Sequence, residues 1–150
     1  MKTILFLCTG NTCRSPMAEC LFNHLSGEKG LPFRGVSAGV YARDGSPASD
    51  GAYAAMQKRG LTLRGHRAQS LTKPLLDGVS LVVAMSPGHA DLCRERFGDL
   101  AAEVRSFSPA IPDPFGGSVA AYSQTADALE VQIAALLEAL KKGETSIAKP

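Results

Sequence analysis

The sequence predicts an α/β fold: a doubly wound, four-stranded parallel sheet flanked by helices, forming one domain over residues 1–150. Apolar runs typical of buried strands alternate along the chain with segments in which apolar residues recur at helical spacing. The length suits a single domain, and the shares of apolar (45%) and charged (20%) residues are average for a soluble globular protein. Residues 143–150 are expected to form a flexible tail.

Strands are predicted where short apolar runs lie between turn residues. The first, residues 3–8, is almost entirely apolar, as expected of a central parallel strand covered by helices on both faces. The strongest strand pattern is residues 79–85, and weaker ones occupy residues 33–38 and 103–107.

Helices are predicted between and after these strands from their start and stop residues. Serine is a favoured helix cap, proline a favoured first helical residue, and glycine a common stop. The predicted helices run from Ser15-Pro16 to about Gly30, from Ser46-Pro47 or Ser49-Asp50 to Gly60, from Pro87 to Phe97, and over residues 119–142.

Two unusual loops follow predicted strands and should meet in space. Right-handed connections between parallel strands bring their carboxyl ends to one edge of the sheet, where such folds bind ligands. The loop after Cys8 and the Pro- and Gly-rich segment 108–118 both fall at that edge. This edge is therefore the predicted functional site.

The loop after the first strand has the composition of a phosphate site with a nucleophile. Gly10 and Asn11 tolerate positive φ, so the backbone N–H groups can turn inward, and the next helix begins at the end of the loop. The fork of Arg14 can hold two phosphate oxygens, and a helix start with a nearby guanidinium favours the thiolate of Cys8. Ser15 can donate a hydrogen bond to that thiolate. The predicted phosphate-binding residues are Thr9, Gly10, Asn11, Thr12, Cys13, Arg14 and Ser15.

Two other interpretations of this loop are weaker. The loop lacks the Gly-Lys-Ser/Thr ending of a nucleotide-binding Walker loop. In a purely structural interpretation, Cys8 is a buried residue at the end of a strand and Gly10-Asn11 is an ordinary turn. This interpretation does not explain the full pattern from Cys8 to Pro16.

Charge and cysteine content point away from several classes of protein. A net charge of +2 gives no case for nucleic acid or a membrane surface, and no apolar run reaches the roughly 20 residues of a membrane span. The apolar segment after Met1 is too short for a signal peptide. With no export signal and a chain of this size, the four cysteines are expected to be free thiols and the protein cytoplasmic. We also expect no metal and no cofactor.

The sequence resembles the low-molecular-weight protein tyrosine phosphatase family from residue 1 to about residue 142. The matching segments are Leu7-Cys8-Thr9-Gly10-Asn11-Thr12-Cys13-Arg14-Ser15-Pro16-Met17-Ala18-Glu19, Ser37-Ala38-Gly39, Val83-Ala84-Met85 and Asp113-Pro114-Phe115. The resemblance implies a four-stranded parallel sheet flanked by helices, which agrees with the prediction above. It also implies an enzyme that forms a phosphocysteine on Cys8 while Arg14 binds the phosphoryl group.

The resemblance places the general acid at Asp113. A leaving group must be protonated, and Asp113 lies between two prolines in the segment after the last strand, at the expected ligand edge. In the second step the same side chain, now ionised, would activate water. The competing interpretation of an aspartate beside prolines is a turn former.

Further roles follow only from the resemblance. Asn11, Ser15, Ser37 and His66 match positions that form a hydrogen-bonded support for the loop, and Cys13 matches a cysteine that can form a reversible disulfide with the nucleophile. Without the resemblance, His66 is interpreted as an exposed loop histidine, and Cys13 as a small residue packed under the loop.

The remaining cysteines and histidines give no further site. Cys20 is expected in the helix core, and His24 and His89 are expected at the surface or its boundary. The three histidines have no metal-ligand spacing.

Two features indicate phosphoarginine as the substrate group rather than phosphotyrosine. Thr12 resembles the bacterial protein-arginine phosphatases of the family, whereas tyrosine-directed members usually carry an aliphatic or small residue there. Gly116 stands where tyrosine-directed members often place a second aromatic, which leaves Phe115, and in our interpretation Tyr41, to cover the substrate stem. A following Tyr122 also resembles the arginine subgroup.

Other functions remain as alternatives. A phosphotyrosine phosphatase is the second candidate. A thioredoxin-coupled arsenate reductase needs two further cysteines close together, and beyond Cys20 the chain has only Cys93. A non-catalytic phosphate or redox sensor has no need of Asp113. We expect a monomer acting on arginine-phosphorylated, or tyrosine-phosphorylated, proteins.

Overall fold

The computed structural model describes residues 1–143. The elements in chain order are β1 (Lys2–Cys8), α1 (Arg14–Glu28), β2 (Phe33–Gly39), α2 (Asp50–Gln57), α3 (Lys73–Asp77), β3 (Leu81–Ala84), α4 (Pro87–Phe97), β4 (Glu103–Ser106) and α5 (Val119–Lys141). The expected flexible tail, apart from Gly143, lies outside the described residues. Within residues 1–143 no helix combines the length and the apolar character that a membrane span requires.

The four strands form one parallel sheet in the order β2-β1-β3-β4, which confirms the predicted fold class. Strand β1 lies inside the sheet, with Cys8 beside Gly39 of β2 and Leu7 beside Ala84 of β3. The loops that follow β1, β2 and β3 therefore leave the same edge of the sheet. This arrangement places the nucleophile candidate Cys8 at the ligand edge.

Alternate residues of β1 enter two separate cores, which explains its nearly unbroken apolar sequence. Ile4 and Phe6 are fully buried in the core shared with α1, α2 and α5, and Leu5 and Leu7 are fully buried in the core shared with α3 and α4. Burial on both faces removes several large apolar side chains from water, and each Å² of apolar surface buried stabilises the fold by about 25 cal/mol. Strand β1 is thus rigidly held, and it carries Cys8 at its end.

Some element boundaries differ from the prediction. The hydrogen-bonded strand β3 covers only Leu81–Ala84, although Val79 and Met85 on either side are buried as well. Helix α3 was not expected, yet it has recognisable start signals, since the side chain of Thr72 accepts from the N–H of Leu75 and a proline lies in its first turn. Of the two proposed starts for α2, the structure has the one capped by Ser49.

Candidate active site

The loop between β1 and α1 encloses a cavity of about 250 Å³ at the carboxyl edge of the sheet. The segment after β4 supplies the opposite wall, so the two loops singled out in the sequence lie together. The cavity is lined by Cys8, Thr9, Gly10, Thr12, Cys13, Arg14, Asp113 and Phe115. A thiol, a guanidinium and a carboxyl group therefore surround one small space.

Asn11 holds the loop in a strained conformation. Its φ of 57° makes it the only non-glycine residue with positive φ among residues 1–143, and such a conformation costs about 1–2 kcal/mol. The side chain is fully buried, and its amide nitrogen donates to Ser15 Oγ (2.8 Å) and Ser37 Oγ (3.0 Å). These bonds offset the strain and fix the turn of the loop.

Further residues complete the support around Asn11. Its side-chain oxygen accepts from the N–H of Gln69 (2.9 Å), and its carbonyl oxygen lies 2.8 Å from His66 Nε2. Ser37 in turn donates to Glu19 Oε1 at 2.5 Å. The structure therefore brings Asn11, Ser15, Ser37 and His66 together, and adds Gln69 and Glu19. Glu19 ends the segment from Leu7 to Glu19 that matches the family resemblance, whereas Gln69 has no recognisable sequence signal.

Ser15 contacts the sulfur of Cys8 instead of capping the helix. Helix α1 begins at Arg14 with no side-chain cap, so the expected cap at Ser15 was wrong. Ser15 Oγ lies 2.9 Å from Cys8 Sγ and accepts a hydrogen bond from Asn11. Because that bond uses a lone pair of the hydroxyl, its hydrogen remains available to Cys8.

Arg14 and Asp113 face each other across the cavity. The guanidinium of Arg14 is buried, and it donates to the carbonyl of Ile111 (3.2 Å) and lies 3.6 Å from the carboxylate of Asp113. Asp113 is exposed, and its other oxygen accepts from the N–H of Phe115 at 3.1 Å. The aspartate is thus a turn former and a cavity-facing carboxyl at once, so its two sequence interpretations are compatible.

The aromatic residues near the site differ in position. Phe115 lies at the rim of the cavity with 75% of its surface exposed, where a substrate side chain can cover it. Tyr41, which we expected beside the substrate stem, does not line the cavity; its ring stacks under Arg96, with the guanidinium carbon 4.7 Å from the ring centre. The contacts of Arg96 account for the difference, because its guanidinium also donates to the backbone carbonyl of Val40, the residue before Tyr41.

Cys13 is a free thiol that contacts two hydroxyl groups. Its sulfur donates to Ser49 Oγ (3.2 Å) and lies 3.5 Å from the hydroxyl of Tyr122. Burial raises the pKa of Tyr122, and the hydrogen bond with Cys13 adds to this shift. All four cysteines are free; Cys93 is fully buried, and Cys20 is half-buried with its thiol on the carbonyl of Thr62.

His89 is a further site residue that the sequence interpretation missed. We expected it at the surface or its boundary, but it is buried, and its Nε2 lies 2.8 Å from the hydroxyl of Thr9. The spacing Ser86-Pro87-Gly88-His89 was a usable signal. A helix that starts directly after β3 must begin at the ligand edge, and its third residue can turn toward the neighbouring loop. His24, in contrast, is exposed and pairs with Glu28.

No group of three or more His, Cys, Asp or Glu side chains in the part of the chain that the structure describes is arranged to hold a metal ion. The cavity instead offers a buried guanidinium and backbone at a helix start, which suit an anion.

Gly39 should be indispensable to the shape of the loop. A Cβ there would lie 2.5 Å from the carbonyl oxygen of Thr9 and 3.0 Å from the amide nitrogen of Asn11, both backbone atoms of the loop. We expect Gly39→Ala to lower kcat/KM by about 10²-fold, because misplacing catalytic groups by an ångström has effects of this size.

The control for this variant is Gly78→Ala, since an added Cβ at Gly78 meets no atom within 4 Å. Both variants are assayed for hydrolysis of para-nitrophenyl phosphate, the kind of activity that the resemblance implies, and for thermal unfolding. Parent-like activity in Gly39→Ala would contradict the assigned role of this glycine.

The chain was compared with known families, relatives and solved structures. The family model described as low molecular weight phosphotyrosine protein phosphatase matches residues 3–146. A protein-arginine-phosphatase of Bacillus subtilis is 38% identical over 146 residues, covering 93% of this chain and 97% of the relative. A protein-arginine-phosphatase of Geobacillus stearothermophilus is 41% identical over 146 residues, covering 92% and 95%.

Among solved structures, one is described as YwlE arginine phosphatase in a cysteine-to-serine mutant form with a phosphorylated active-site serine. It superposes with a TM-score of 0.90 at 37% identity and covers 93% of this chain and 96% of that chain.

Proposed function

The chain belongs to the low-molecular-weight phosphotyrosine protein phosphatase family, and we propose that it hydrolyses phosphoarginine on proteins through a phosphocysteine at Cys8. The observation that carries the proposal is that Cys8, Arg14 and Asp113 line the same cavity. Full-length relatives named protein-arginine-phosphatase support the substrate class. The proposed reaction needs no cofactor.

In the first step the thiolate of Cys8 attacks phosphorus. The S–P bond forms as the P–N bond to the arginine side chain breaks, and Asp113 transfers its proton to the departing nitrogen. Arg14 and the inward N–H groups of the loop, from Thr9 to Ser15, bind the phosphoryl oxygens and stabilise the charge that develops on them. The carboxyl group of Asp113 lies 3.6 Å from the guanidinium of Arg14, which supports this assignment because an acid there can reach a group that leaves a phosphoryl group bound to Arg14.

In the second step water clears the phosphocysteine. The carboxylate of Asp113 takes a proton from the water as its oxygen attacks phosphorus, and the S–P bond breaks to return the thiolate of Cys8 and inorganic phosphate. Ser15 assists, because a hydroxyl 2.9 Å from the sulfur stabilises the departing thiolate. Asn11, Ser37 and His66 keep this hydroxyl and the loop in place.

The residues around the cavity mouth support phosphoarginine over phosphotyrosine. Thr12 lines the cavity with a hydroxyl that can order water, and its branched methyl narrows the space. Phe115 is exposed at the rim with Gly116 beside it, so one aromatic ring, and not two, is available to a substrate stem. A planar guanidinium pairs well with a carboxylate such as Asp113. Phosphotyrosine remains the alternative substrate, which the name of the family itself favours.

Thr12→Ile should shift specificity toward phosphotyrosine. Isoleucine removes the hydroxyl and presents an apolar wall to a phenol ring, so the ratio of kcat/KM for phosphoarginine to that for phosphotyrosine should fall by about tenfold or more. The measurement uses two peptides that differ only in the phosphorylated residue. Thr12→Ser keeps the hydroxyl and serves as the control. An unchanged ratio in Thr12→Ile would remove Thr12 as a reason for the substrate assignment.

The less favoured functions meet specific obstacles. Cys93 is fully buried, and Cys20 is half-buried with its thiol on the carbonyl of Thr62, so neither suits the disulfide relay of an arsenate reductase. A non-catalytic phosphate or redox sensor leaves Asp113 without a purpose. A disulfide between Cys8 and Cys13 is compatible with the enzyme and would protect its nucleophile from further oxidation.

The proposal is tested by incubating the purified protein with an arginine-phosphorylated protein and following both products. We expect release of inorganic phosphate together with unmodified arginine at the same positions by mass spectrometry. Arg14→Lys should reduce this release sharply, since an ammonium group cannot hold two phosphoryl oxygens as a fork. Failure of the parent to release phosphate from this protein would reject the proposed substrate.

We also propose that the protein acts in the cytoplasm as a monomer on phosphorylated proteins. Four free thiols are usual in a reducing compartment, which supports this location.

A further inference from the structure

His89 bridges two loops at the ligand edge of the sheet. It lies in the first turn of α4 with only 8% of its surface exposed. One ring nitrogen, Nε2, lies 2.8 Å from the hydroxyl of Thr9, and the other, Nδ1, lies 2.7 Å from the hydroxyl of Ser86. The imidazole thus connects the loop after β1 to the loop after β3.

Thr9 is the residue that follows the nucleophile, and it lines the cavity. Its carbonyl oxygen accepts from the N–H of Tyr41 at 2.9 Å, so the turn after β2 holds its backbone. Its side chain is held from the opposite side by His89. Thr9 is therefore held by the segments that follow the two strands beside β1. Tyr41, after β2, binds its backbone, and His89, after β3, binds its side chain.

The surroundings of His89 favour its neutral form. Burial and, to a smaller extent, the nearby charge of Arg14 lower its pKa to about 4, although the carboxylate of Asp113 acts in the opposite direction. A neutral imidazole has one donor and one acceptor nitrogen, and hydroxyl groups can take either part. Both bonds of His89 can therefore form in either tautomer, without a second positive charge beside Arg14.

We propose that His89 is a positioning residue that holds Thr9, and through it the first turn of the phosphate loop, in the binding conformation before the phosphoryl group arrives. The proposal rests on the proposed phosphatase site but holds for any phosphoryl substrate. Ordering the loop in advance avoids the entropic cost of ordering it on binding. Loss of the bond should therefore weaken the affinity for phosphate while leaving the fold in place.

The test measures the Kd of inorganic phosphate by NMR titration, which needs no turnover, together with Tm. His89→Asn keeps a nitrogen near the position of Nδ1 and loses the reach to Thr9, and Thr9→Val removes the hydroxyl while keeping the shape. Each should raise Kd by about three- to tenfold. The double variant should be no weaker than the more affected single variant, since both changes delete the same bond.

Conservative variants separate positioning from general damage. His89→Gln, whose amide extends to about the position of Nε2, and Thr9→Ser, which keeps the hydroxyl, should both stay near the parental Kd. His24→Asn, at an exposed histidine of α1, controls for the substitution type. If His89→Asn fails to fold, the comparison of Thr9→Val with Thr9→Ser decides the question alone.

The outcomes distinguish this inference from the proposed function. Multiplying effects in the double variant, or an equal Kd for Thr9→Val and Thr9→Ser, would overturn the role of the His89–Thr9 bond. A parent that binds phosphate but fails to hydrolyse para-nitrophenyl phosphate would contradict the proposed phosphatase activity and leave the role of His89 to be judged from the Kd values.

Discussion

Cys8→Ser is expected to abolish turnover and to leave the protein phosphorylated on the introduced serine. A serine hydroxyl in the same cradle can accept a phosphoryl group slowly but is a far worse leaving group than a thiolate, so the second step stops. Loss of a nucleophile typically lowers kcat by about 10⁴-fold or more. Intact mass spectrometry should show one added phosphoryl group after incubation with substrate. A related solved structure is described as such a mutant with a phosphorylated serine.

The matched control is Cys20→Ser, a half-buried cysteine on α1 outside the cavity. It should keep parental activity and gain no phosphoryl group. Phosphatase activity in Cys8→Ser within tenfold of the parent would show that another residue is the nucleophile.

Asp113→Asn is expected to have the second-largest effect. The carboxyl group supplies the proton to the leaving group and later accepts one from water, and an amide does neither. General acid–base catalysis typically contributes about 10²–10⁴-fold, so kcat should fall within that range for phosphoarginine. The loss in the first step should be smaller for para-nitrophenyl phosphate, because nitrophenolate leaves readily without a proton.

This leaving-group dependence is the diagnostic readout for Asp113. Phosphocysteine formation is followed by rapid quench with both substrates, and Asp99→Asn is the control. Asp99 is exposed in the loop between α4 and β4, at the opposite edge of the sheet. An equal loss of the first step for both substrates would argue that Asp113 shapes the loop, through its bond to the N–H of Phe115, and does not act as the acid.

The order of elements could be predicted because buried parallel strands leave a distinctive sequence pattern. Strand β1 is buried on both faces, and its nearly unbroken apolar run predicts a central position in the sheet. Helix α3 was not predicted, because its five residues are too few to show the helical periodicity of apolar residues. The ends of β3 were predicted too wide because Val79 and Met85 are buried like the strand itself, although the strand covers only Leu81–Ala84.

The site was partly predictable for a similar reason. Its catalytic candidates occupy continuous motifs, so Cys8, Arg14 and Asp113 could be named from the sequence. Its support depends on contacts between distant segments, such as Gln69 with Asn11 and His89 with Thr9. A local pattern can place a residue such as His89 at the ligand edge, but it does not encode which side chain of another segment that residue will contact. Ser15 illustrates the limit: its local pattern indicated a helix cap, but its tertiary contact with Cys8 determines its actual place.

The central claim is that this cavity removes phosphoryl groups from arginine. The most direct measurement compares kcat/KM of the unmodified protein on two peptides of identical sequence, one with phosphoarginine and one with phosphotyrosine at the same position. The account predicts a clear preference for phosphoarginine, about tenfold or more. An equal or greater kcat/KM for phosphotyrosine would contradict the substrate assignment and favour a tyrosine phosphatase.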